Sequence, residues 1–162
     1  MSKLKKITKY IRREAKRKSV YVWGAQGERL ADVNYQWIVS METNTNNVER
    51  IINFIIKWVG YISKYARCFD CSGLVVYYFL KYKIISSDMT ADGLLHSWPE
   101  VQLSELKEGD LVYIESGGKA THVGYYTGEN DIVVESRGRD YGVVETYLTS
   151  RPWSRANRPN YK

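Results

Sequence analysis

Apolar residues recur at helical spacing in the first half of this chain and at strand spacing in the second half. In the first half, apolar positions three and four residues apart predict helices over 3–18, 48–59 and 70–82. In the second half, glycine-bearing turns separate four runs rich in β-branched and aromatic residues: 110–115, 122–127, 132–136 and 143–147. Because helices come first and strands follow without alternation, the pattern indicates an α+β fold with an antiparallel meander.

The length of the chain, 162 residues, suits one domain that buries its core without disulfides or metal ions. We therefore expect a single domain over 1–162. Its predicted parts are a basic N-terminal helix over 3–18, a helical insertion over about 28–66, a helix over about 70–82 and a β-meander over about 110–148. Within the insertion, residues 43–47 are predicted to form a polar loop. Residues 151–159 are predicted to form an extended strap over the body.

Positive charge is concentrated at the N-terminus. Residues 1–18 contain nine Lys or Arg residues and one acid, Glu14, which gives a local net charge of +8. The whole chain carries +6, so the other 144 residues together carry −2. Such a patch can bind a polyanion, for example an anionic wall polymer or an anionic lipid, although a solvated helix face gives the same pattern. No recognised nucleic-acid-binding motif accompanies the charge, so we expect no nucleic-acid partner.

Neither a secretory signal nor a membrane-spanning segment is predicted. The basic start is not followed by an apolar region, and the most apolar run, residues 51–60, is interrupted by Asn53 and Lys57. We therefore expect a protein that is made in the cytoplasm and stays there unless something else releases or carries it.

Cys71 is the candidate reactive residue because it lies where a helix should begin. Asp70 is a favoured N-cap residue type, and apolar side chains at helical spacing follow it. A thiol in the first turn of a helix feels unpaired backbone N–H groups and the positive end of the helix dipole. These can lower its pKa into the range of roughly 3.5–7.5. The sequence therefore predicts an activated thiolate nucleophile at Cys71.

His122 is the candidate base, about fifty residues further on at the head of a strand-like run. A cysteine and a distant histidine are the minimum for covalent acyl transfer, and a third polar group must hold the imidazole in the right tautomer. The next run offers three such groups: Asp131, Glu135 and Ser136. A strand that folds back through the turn at 128–130 would bring Glu135 or a close neighbour opposite His122. We predict Glu135, with a plain surface glutamate as the alternative.

Two further residues with reactive side chains, Cys68 and His96, are predicted to be structural, with a contact to substrate as the alternative for His96. Cys68 and Cys71 form a C-x-x-C pair, but no thioredoxin-like β-α-β context surrounds the pair and no second ligand pair is available for zinc. Cys68 is therefore expected to be a small buried residue, with a thiol-disulfide function as the alternative. We expect no metal ion and no cofactor.

Four motifs in this chain resemble, in the same order, the NlpC-type family of papain-like peptidoglycan peptidases. They are YVWG at 21–24, FDCSGLV at 69–75, LKEGDLVY at 106–113 and THVGYYTG at 121–128. Together they span most of the chain. The closing stretch over residues 134–144 is most similar to bacteriophage-associated members of the family.

The resemblance implies a papain-like α+β fold, in which a nucleophilic cysteine at the start of a helix packs on an antiparallel sheet. It implies a single catalytic domain that cleaves stem peptides in bacterial cell walls, commonly between D-glutamate and the following diamino acid, diaminopimelate or Lys. The family pattern makes Cys71 the nucleophile and His122 the base, without a cofactor. Four residues would line the subsite for the end of the stem peptide: Tyr21, Trp23, Asp70 and Ser72.

The chain departs from the family pattern in two places. The third catalytic position of the family is often His, Asn or Gln, whereas this chain offers Glu135 there. Roughly forty residues separate the 21–24 motif from Asp70, where the family commonly has far fewer, and we expect the helices of that insertion to cover one wall of the cleft.

Several functional alternatives stay open from the sequence. An N-acetylmuramoyl-L-alanine amidase would use the same machinery, and a catalytically inactive wall-binding module would use none of it. The small size, the missing signal peptide and the phage-like closing stretch favour a phage role. The protein would then reach the wall either as a released endolysin or as part of a phage tail.

Overall fold

The computed structural model describes all 162 residues and divides them into five α-helices and eight β-strands. The helices are α1 (Lys3–Lys16), α2 (Tyr35–Glu42), α3 (Thr45–Lys57), α4 (Cys71–Lys81) and α5 (Ala91–Leu95). The strands are β1 (Val20–Tyr21), β2 (Gln26–Arg29), β3 (Arg67–Phe69), β4 (Leu111–Ser116), β5 (Lys119–Tyr126), β6 (Ile132–Ser136), β7 (Val143–Tyr147) and β8 (Arg155–Asn157). None of the helices is both long enough and apolar enough to cross a membrane.

The second half of the chain forms a five-stranded antiparallel sheet, which confirms the predicted α+β class. Its strand order is β7-β6-β5-β4-β8. The prediction of a strap is wrong for residues 155–157, because they pair with β4 and form an edge strand in which Ala156 lies opposite Val112. The Asn157 side chain fixes this strand: its amide donates to the carbonyl oxygens of Leu94 (2.8 Å) and Leu95 (3.0 Å).

Helix α4 packs against α1 and against strands β5 and β6. It is buried along most of its length, and five of its side chains are at most 1% exposed: Leu74, Val75, Val76, Tyr78 and Phe79. Burial of large apolar side chains contributes about 1.5–3 kcal/mol each. A Cβ on Gly73 would lie 2.2 Å from the carbonyl oxygen of Ala25, so only glycine lets the first turn of α4 approach the turn between β1 and β2 this closely.

The predicted helical insertion over 28–66 is less uniformly helical than expected. It opens with the end of β2 and a single 3₁₀ turn at Leu30–Asp32. Helix α2 begins only after Asn34, whose side chain accepts a hydrogen bond from the backbone N–H of Trp37 (3.0 Å). The helix predicted from the apolar spacing therefore begins too early, because the capping residue determines where the real helix starts.

The predicted polar loop over 43–47 is wrong beyond Asn44. The Asn44 side chain accepts the backbone N–H of Asn47 (3.1 Å), so helix α3 begins at Thr45. Helices α2 and α3 pack on each other and share a small core with β1 and β3. Cys68 lies in that core and is fully buried, as predicted.

Helix α1 docks on the body through apolar and polar contacts. Ile7 and Ile11 are fully buried. Glu14 is also fully buried and accepts hydrogen bonds from three side chains: Ser19 (2.6 Å), Tyr78 (2.7 Å) and Arg17 (3.0 Å). The helix ends at Lys16, two residues before its predicted end, because the backbone turns to a positive φ of 53° at Lys18.

We expect Glu14→Ala to lower the free energy of unfolding by about 2–4 kcal/mol, because it leaves two buried hydroxyls without their acceptor. Urea unfolding followed by circular dichroism measures this loss. Lys9→Ala on the exposed face of the same helix is the control and should change stability by less than about 0.5 kcal/mol. Equal, small losses in both variants would show that Glu14 does not anchor α1.

Candidate active site

Cys71 is the first residue of α4, and Asp70 is the N-cap, as predicted. The Asp70 carboxylate accepts the backbone N–H groups of Gly73 (2.7 Å) and Gly24 (3.0 Å) and the hydroxyl of Ser72 (3.4 Å). Burial raises the pKa of Asp70, although these hydrogen bonds oppose the rise. The same carboxylate therefore caps the helix and ties the turn between β1 and β2 to the position of the thiol.

The pKa of the half-buried Cys71 thiol shifts in the direction opposite to the predicted one. Burial raises the pKa of Cys71 to about 11, and the charge of Asp70 adds to the rise. Backbone N–H groups at the helix start and at Val123 favour the thiolate but do not outweigh burial. The Sγ atom lies 3.7 Å from the backbone carbonyl oxygen of Thr121, which accepts from the S–H group. The prediction failed because it considered the helix dipole without desolvation.

The structure brings His122 and Glu135 together. Nε2 of His122 lies 2.7 Å from Oε1 of Glu135. Strands β5 and β6 pair with Tyr125 opposite Val134, so residues 122 and 135 are diagonal neighbours on one face of the sheet. An ionised carboxylate can only accept a hydrogen bond, so Nε2 carries a proton, and in the neutral imidazole Nδ1 therefore has the lone pair. The imidazole is thus held in the tautomer that leaves Nδ1 free to act as a base.

Glu135 is fully buried and still ionised, so the alternative of a plain surface glutamate is wrong. Burial alone would raise the pKa of Glu135, but hydrogen bonds from His122, Arg151 and Thr146 outweigh it and lower the pKa to about 2. The Thr146 hydroxyl donates to Oε2 (2.6 Å), and Nη2 of Arg151 donates to Oε1 (3.0 Å). Every donor in this set therefore favours the charged carboxylate.

The other two candidates for the third position bond elsewhere. Asp131 accepts a hydrogen bond from the hydroxyl of Tyr126 (2.7 Å). The buried hydroxyl of Ser136 donates to the backbone carbonyl oxygen of Phe69 (2.8 Å). Neither side chain bonds His122.

Trp153 forms a second contact with the imidazole that the sequence did not predict. Its ring stacks on that of His122, with centroids 5.6 Å apart and an angle of 14° between the planes. The indole rests over Gly124 of β5, where a Cβ would lie 2.8 Å from it. Trp153 and Arg151 were missed because both lie in the segment predicted as a strap. Their only sequence signal is a cation and a large aromatic residue on either side of Pro152.

The four predicted subsite residues differ in how open they are. Trp23 is 59% exposed, whereas Tyr21 is buried. Burial, with the charges of Cys71 and Asp70, raises the pKa of Tyr21. The side chains of Asp70 and Ser72 are already hydrogen-bonded at the helix start. The polar groups that remain available around the predicted subsite are those of Tyr21 and its neighbours.

Two of these neighbours, Glu42 and Arg139, were not predicted. The Arg139 guanidinium lies 5.1 Å from the centroid of the Tyr21 ring. The buried Glu42 accepts from Arg139 (2.7 Å) and from the backbone N–H of Trp23 (2.9 Å). Because Glu42 is the last residue of α2, the insertion contacts Trp23 and Arg139 directly.

Cys68 and His96 take no part in the arrangement around Cys71. Both cysteines are free thiols, and burial raises the pKa of Cys68 to about 12. His96 is exposed and lies 3.6 Å from Asp92. The structure contains no group of three or more His, Cys, Asp and Glu side chains that could hold a metal ion.

The order of elements and the position of the thiol at a helix start define a papain-like fold, and the chain belongs to the NlpC/P60 family. The family's sequence profile matches residues 56–158, more than half of the chain. This range includes Cys71, His122 and Glu135.

Individual relatives agree with the family assignment. The murein DD-endopeptidase MepH of Escherichia coli is 36% identical over 92 residues, which cover 54% of this chain and 33% of that protein. The structure of NlpC2 from Trichomonas vaginalis has a TM-score of 0.65 at 17% identity and covers 98% of this chain and 48% of that chain. The structure of the peptidoglycan hydrolase RipB from Mycobacterium tuberculosis has a TM-score of 0.62 at 21% identity. The match covers 98% of this chain and 67% of that chain. The structural matches confirm the fold, and the alignment spans one third of the length of the E. coli protein.

We expect the rate of Cys71 alkylation by iodoacetamide to rise about tenfold per pH unit between about pH 7 and pH 10. The reason is that iodoacetamide reacts with the thiolate, and the thiolate fraction rises about tenfold per pH unit as long as the pH lies below a pKa of about 11. Peptide mapping by mass spectrometry separates this reaction from labelling of Cys68, which should stay unmodified in the folded protein. A rate that levels off near pH 8 would show that the thiolate already forms at neutral pH.

Proposed function

We propose that the chain is a cysteine peptidase that hydrolyses amide bonds in the stem peptides of bacterial peptidoglycan. The observation that carries the proposal is the 2.7 Å hydrogen bond between Nε2 of His122 and the buried, ionised Glu135. This hydrogen bond leaves Nδ1 of His122 available as a base. The preceding residue, Thr121, has a backbone carbonyl oxygen that accepts a hydrogen bond from the Cys71 thiol. A base near a thiol at a helix start supports covalent acyl transfer. The likeness to a murein endopeptidase supports peptidoglycan as the substrate.

In the proposed reaction, Nδ1 of His122 takes the proton from Cys71 while the sulfur attacks the carbonyl carbon of the scissile amide. Because the pKa of the free thiol is raised, proton transfer accompanies the attack. The thiol first turns away from the carbonyl oxygen of Thr121. Backbone N–H groups in the first turn of α4 stabilise the negative oxygen of the tetrahedral intermediate.

The second half of the proposed reaction reverses these proton transfers. The imidazolium of His122 gives its proton to the departing amine, and a thioester remains on Cys71. Water then attacks the thioester while Nδ1 takes a proton from it. The C–S bond breaks, the carboxylic acid product leaves, and the imidazolium returns the proton to the Cys71 sulfur. Glu135 stabilises the imidazolium in both halves through its hydrogen bond to Nε2 and stays ionised throughout.

We propose that the bond cut joins D-glutamate to the following diamino acid, diaminopimelate or Lys. The motifs around Tyr21 and Asp70 support this, because they resemble the family members that recognise the end of a stem peptide. The alternatives are an N-acetylmuramoyl-L-alanine amidase with the same machinery and a catalytically inactive wall-binding module.

We further propose that the protein acts at the cell wall in a phage context, as an endolysin or as part of a phage tail. The support is the similarity of residues 134–144 to bacteriophage-associated members of the family. Lysis of cells by externally added protein would favour the tail role. Lysis only after expression inside cells whose membrane is then permeabilised would favour the endolysin role.

Digestion of purified peptidoglycan followed by mass spectrometry tests the proposed reaction. We expect wild-type protein to release fragments with a free diamino-acid amine and Cys71→Ala to release none, because the sulfur forms the covalent intermediate. Cys68→Ala is the matched control and should give the wild-type fragments.

Three results would contradict parts of the proposal. Free L-alanine amino termini would identify an amidase. Conversion of cross-linked dimers to monomers, with the D-glutamyl bond intact, would identify a different endopeptidase bond. No fragment dependent on Cys71 from walls of several chemotypes would leave the binding-module alternative.

Six of the seven basic residues of α1 fall into two sets, and the seventh, Arg13, lies over the Tyr10 ring. Lys5 pairs with Glu108 (2.6 Å), and Arg12 pairs with Glu145 (2.9 Å) and with Glu129, so these two residues hold the helix on the body. Four other lysines are exposed and make no ion pair: Lys3, Lys6, Lys9 and Lys16. We propose that this second set binds anionic wall polymers.

Changing these four lysines to Gln should weaken binding to intact anionic walls at low salt by at least about tenfold and leave cleavage of a soluble stem peptide unchanged. Co-sedimentation with purified walls measures the binding. The control changes four exposed lysines elsewhere to Gln: Lys57, Lys64, Lys107 and Lys119. Equal weakening in both variants would show that only net charge matters and that α1 is not a binding surface.

A further inference from the structure

The C-terminal tail contributes two side chains to the pair formed by His122 and Glu135. Nη2 of Arg151 lies 3.0 Å from Oε1 of Glu135, and Nε lies 3.2 Å from Oε2. The Trp153 ring stacks on His122 at a centroid distance of 5.6 Å. We propose that Arg151 and Trp153 are positioning residues that hold the imidazole in its reactive orientation. This inference rests on the proposed function above and deepens it.

Arg151 acts on the carboxylate. Glu135 has no solvent exposure, so without the guanidinium its charge would be balanced only by hydrogen bonds from His122 and Thr146. Such a carboxylate tends to take up a proton itself or to turn toward another donor. The planar fork of Arg151 reaches both carboxylate oxygens, so it neutralises the charge and also fixes the plane in which Oε1 accepts from Nε2.

Trp153 restricts the motion that the hydrogen bond leaves free. A single bond at Nε2 fixes one edge of the imidazole but allows the ring to tilt about that edge. The indole face, 14° from parallel, blocks the tilt. Its N–H group is buried and has no hydrogen-bond partner, so the contribution of Trp153 comes from its ring face. Gly124 makes the stacking possible, because a side chain there would meet both the indole and Val133.

The tail is held in place by contacts that do not involve His122 or Glu135. The backbone N–H of Ser154 donates to the carbonyl oxygen of Tyr113 (2.8 Å), immediately after Trp153. Strand β8 then pairs with β4, and Arg158 forms an ion pair with the buried Asp110 (2.8 Å). These contacts do not depend on His122 or Glu135. They therefore hold Arg151 in a fixed position against Glu135 and Trp153 in a fixed position against His122.

Steady-state kinetics on a soluble stem peptide test the role of Arg151. We expect Arg151→Gln to lower kcat by about 10- to 100-fold with KM changed by less than about twofold, because misoriented groups affect the reaction step and not substrate binding. Arg151→Lys restores the charge but not the fork and should recover part of the loss. Arg155→Gln is the matched control: it makes the same charge change in the same tail, where Arg155 pairs with Glu100 and Glu115, and activity should stay within about twofold.

The pH profile separates positioning from a purely structural role. Arg151 helps to lower the pKa of Glu135, so its removal raises that pKa. The carboxylate then gains a proton as the pH falls, and Arg151→Gln should lose more activity at about pH 5 than at about pH 8, relative to the wild type. In a Glu135→Gln background, Arg151→Gln should add little further loss. Equal losses at both pH values that persist in that background would overturn the proposal.

Proton NMR tests Trp153 without any substrate. The Nε2–H of His122 should give a resolved downfield resonance because it is hydrogen-bonded and shielded from exchange. We expect Trp153→Leu to broaden it and to lower kcat about tenfold, Trp153→Phe to restore most of both, and Arg155→Gln to leave the resonance unchanged. An unchanged resonance in Trp153→Leu would overturn the role of Trp153. If the wild type cuts no wall peptide but the resonance responds as expected, the proposed function fails while the positioning role stands.

Discussion

A buried carboxylate that must stay ionised is the constraint on which the rest of the site depends. Glu135 has no solvent exposure, yet donors from three elements surround it: His122 on β5, Thr146 on β7 and Arg151 in the tail. Its charge determines which nitrogen of the imidazole carries the proton, and that determines where a base is available. The sheet and the tail together therefore create one reactive nitrogen.

The proposed nucleophile, Cys71, comes from the other half of the molecule. Cys71 begins a helix whose start is fixed by the bonds of Asp70 to Gly73 and Gly24, and the same helix packs on strands β5 and β6. Packing of α4 on the sheet thus decides how close the thiol comes to the imidazole. Burial from this packing also raises the pKa of the thiol, so close approach and an intrinsically acidic thiol oppose each other here. In the proposed reaction, the imidazole of His122 resolves that opposition, because it removes the proton only as the sulfur attacks.

The sequence predicted local features, which depend only on the residues of the segment that forms them. The helix start at Cys71 followed from Asp70 and the apolar spacing after it, and the pairing of Glu135 with His122 followed from a strand that folds back through the turn at 128–130. Features that depend on distant segments were missed. Burial of the thiol requires knowledge of what packs over it. Arg151 and Trp153 lie in a segment without periodicity, and only the pairing of β8 with β4 brings them to the imidazole.

The central claim is that Glu135 holds His122 as the tautomer with the proton on Nε2. Nitrogen-15 NMR of the imidazole in free wild-type protein measures the tautomer directly. We expect a protonated Nε2 and an unprotonated Nδ1, with the two forms mixed in Glu135→Ala. A proton on Nδ1 in the wild type would show that Glu135 does not select this tautomer, and no base would then be available for the thiol.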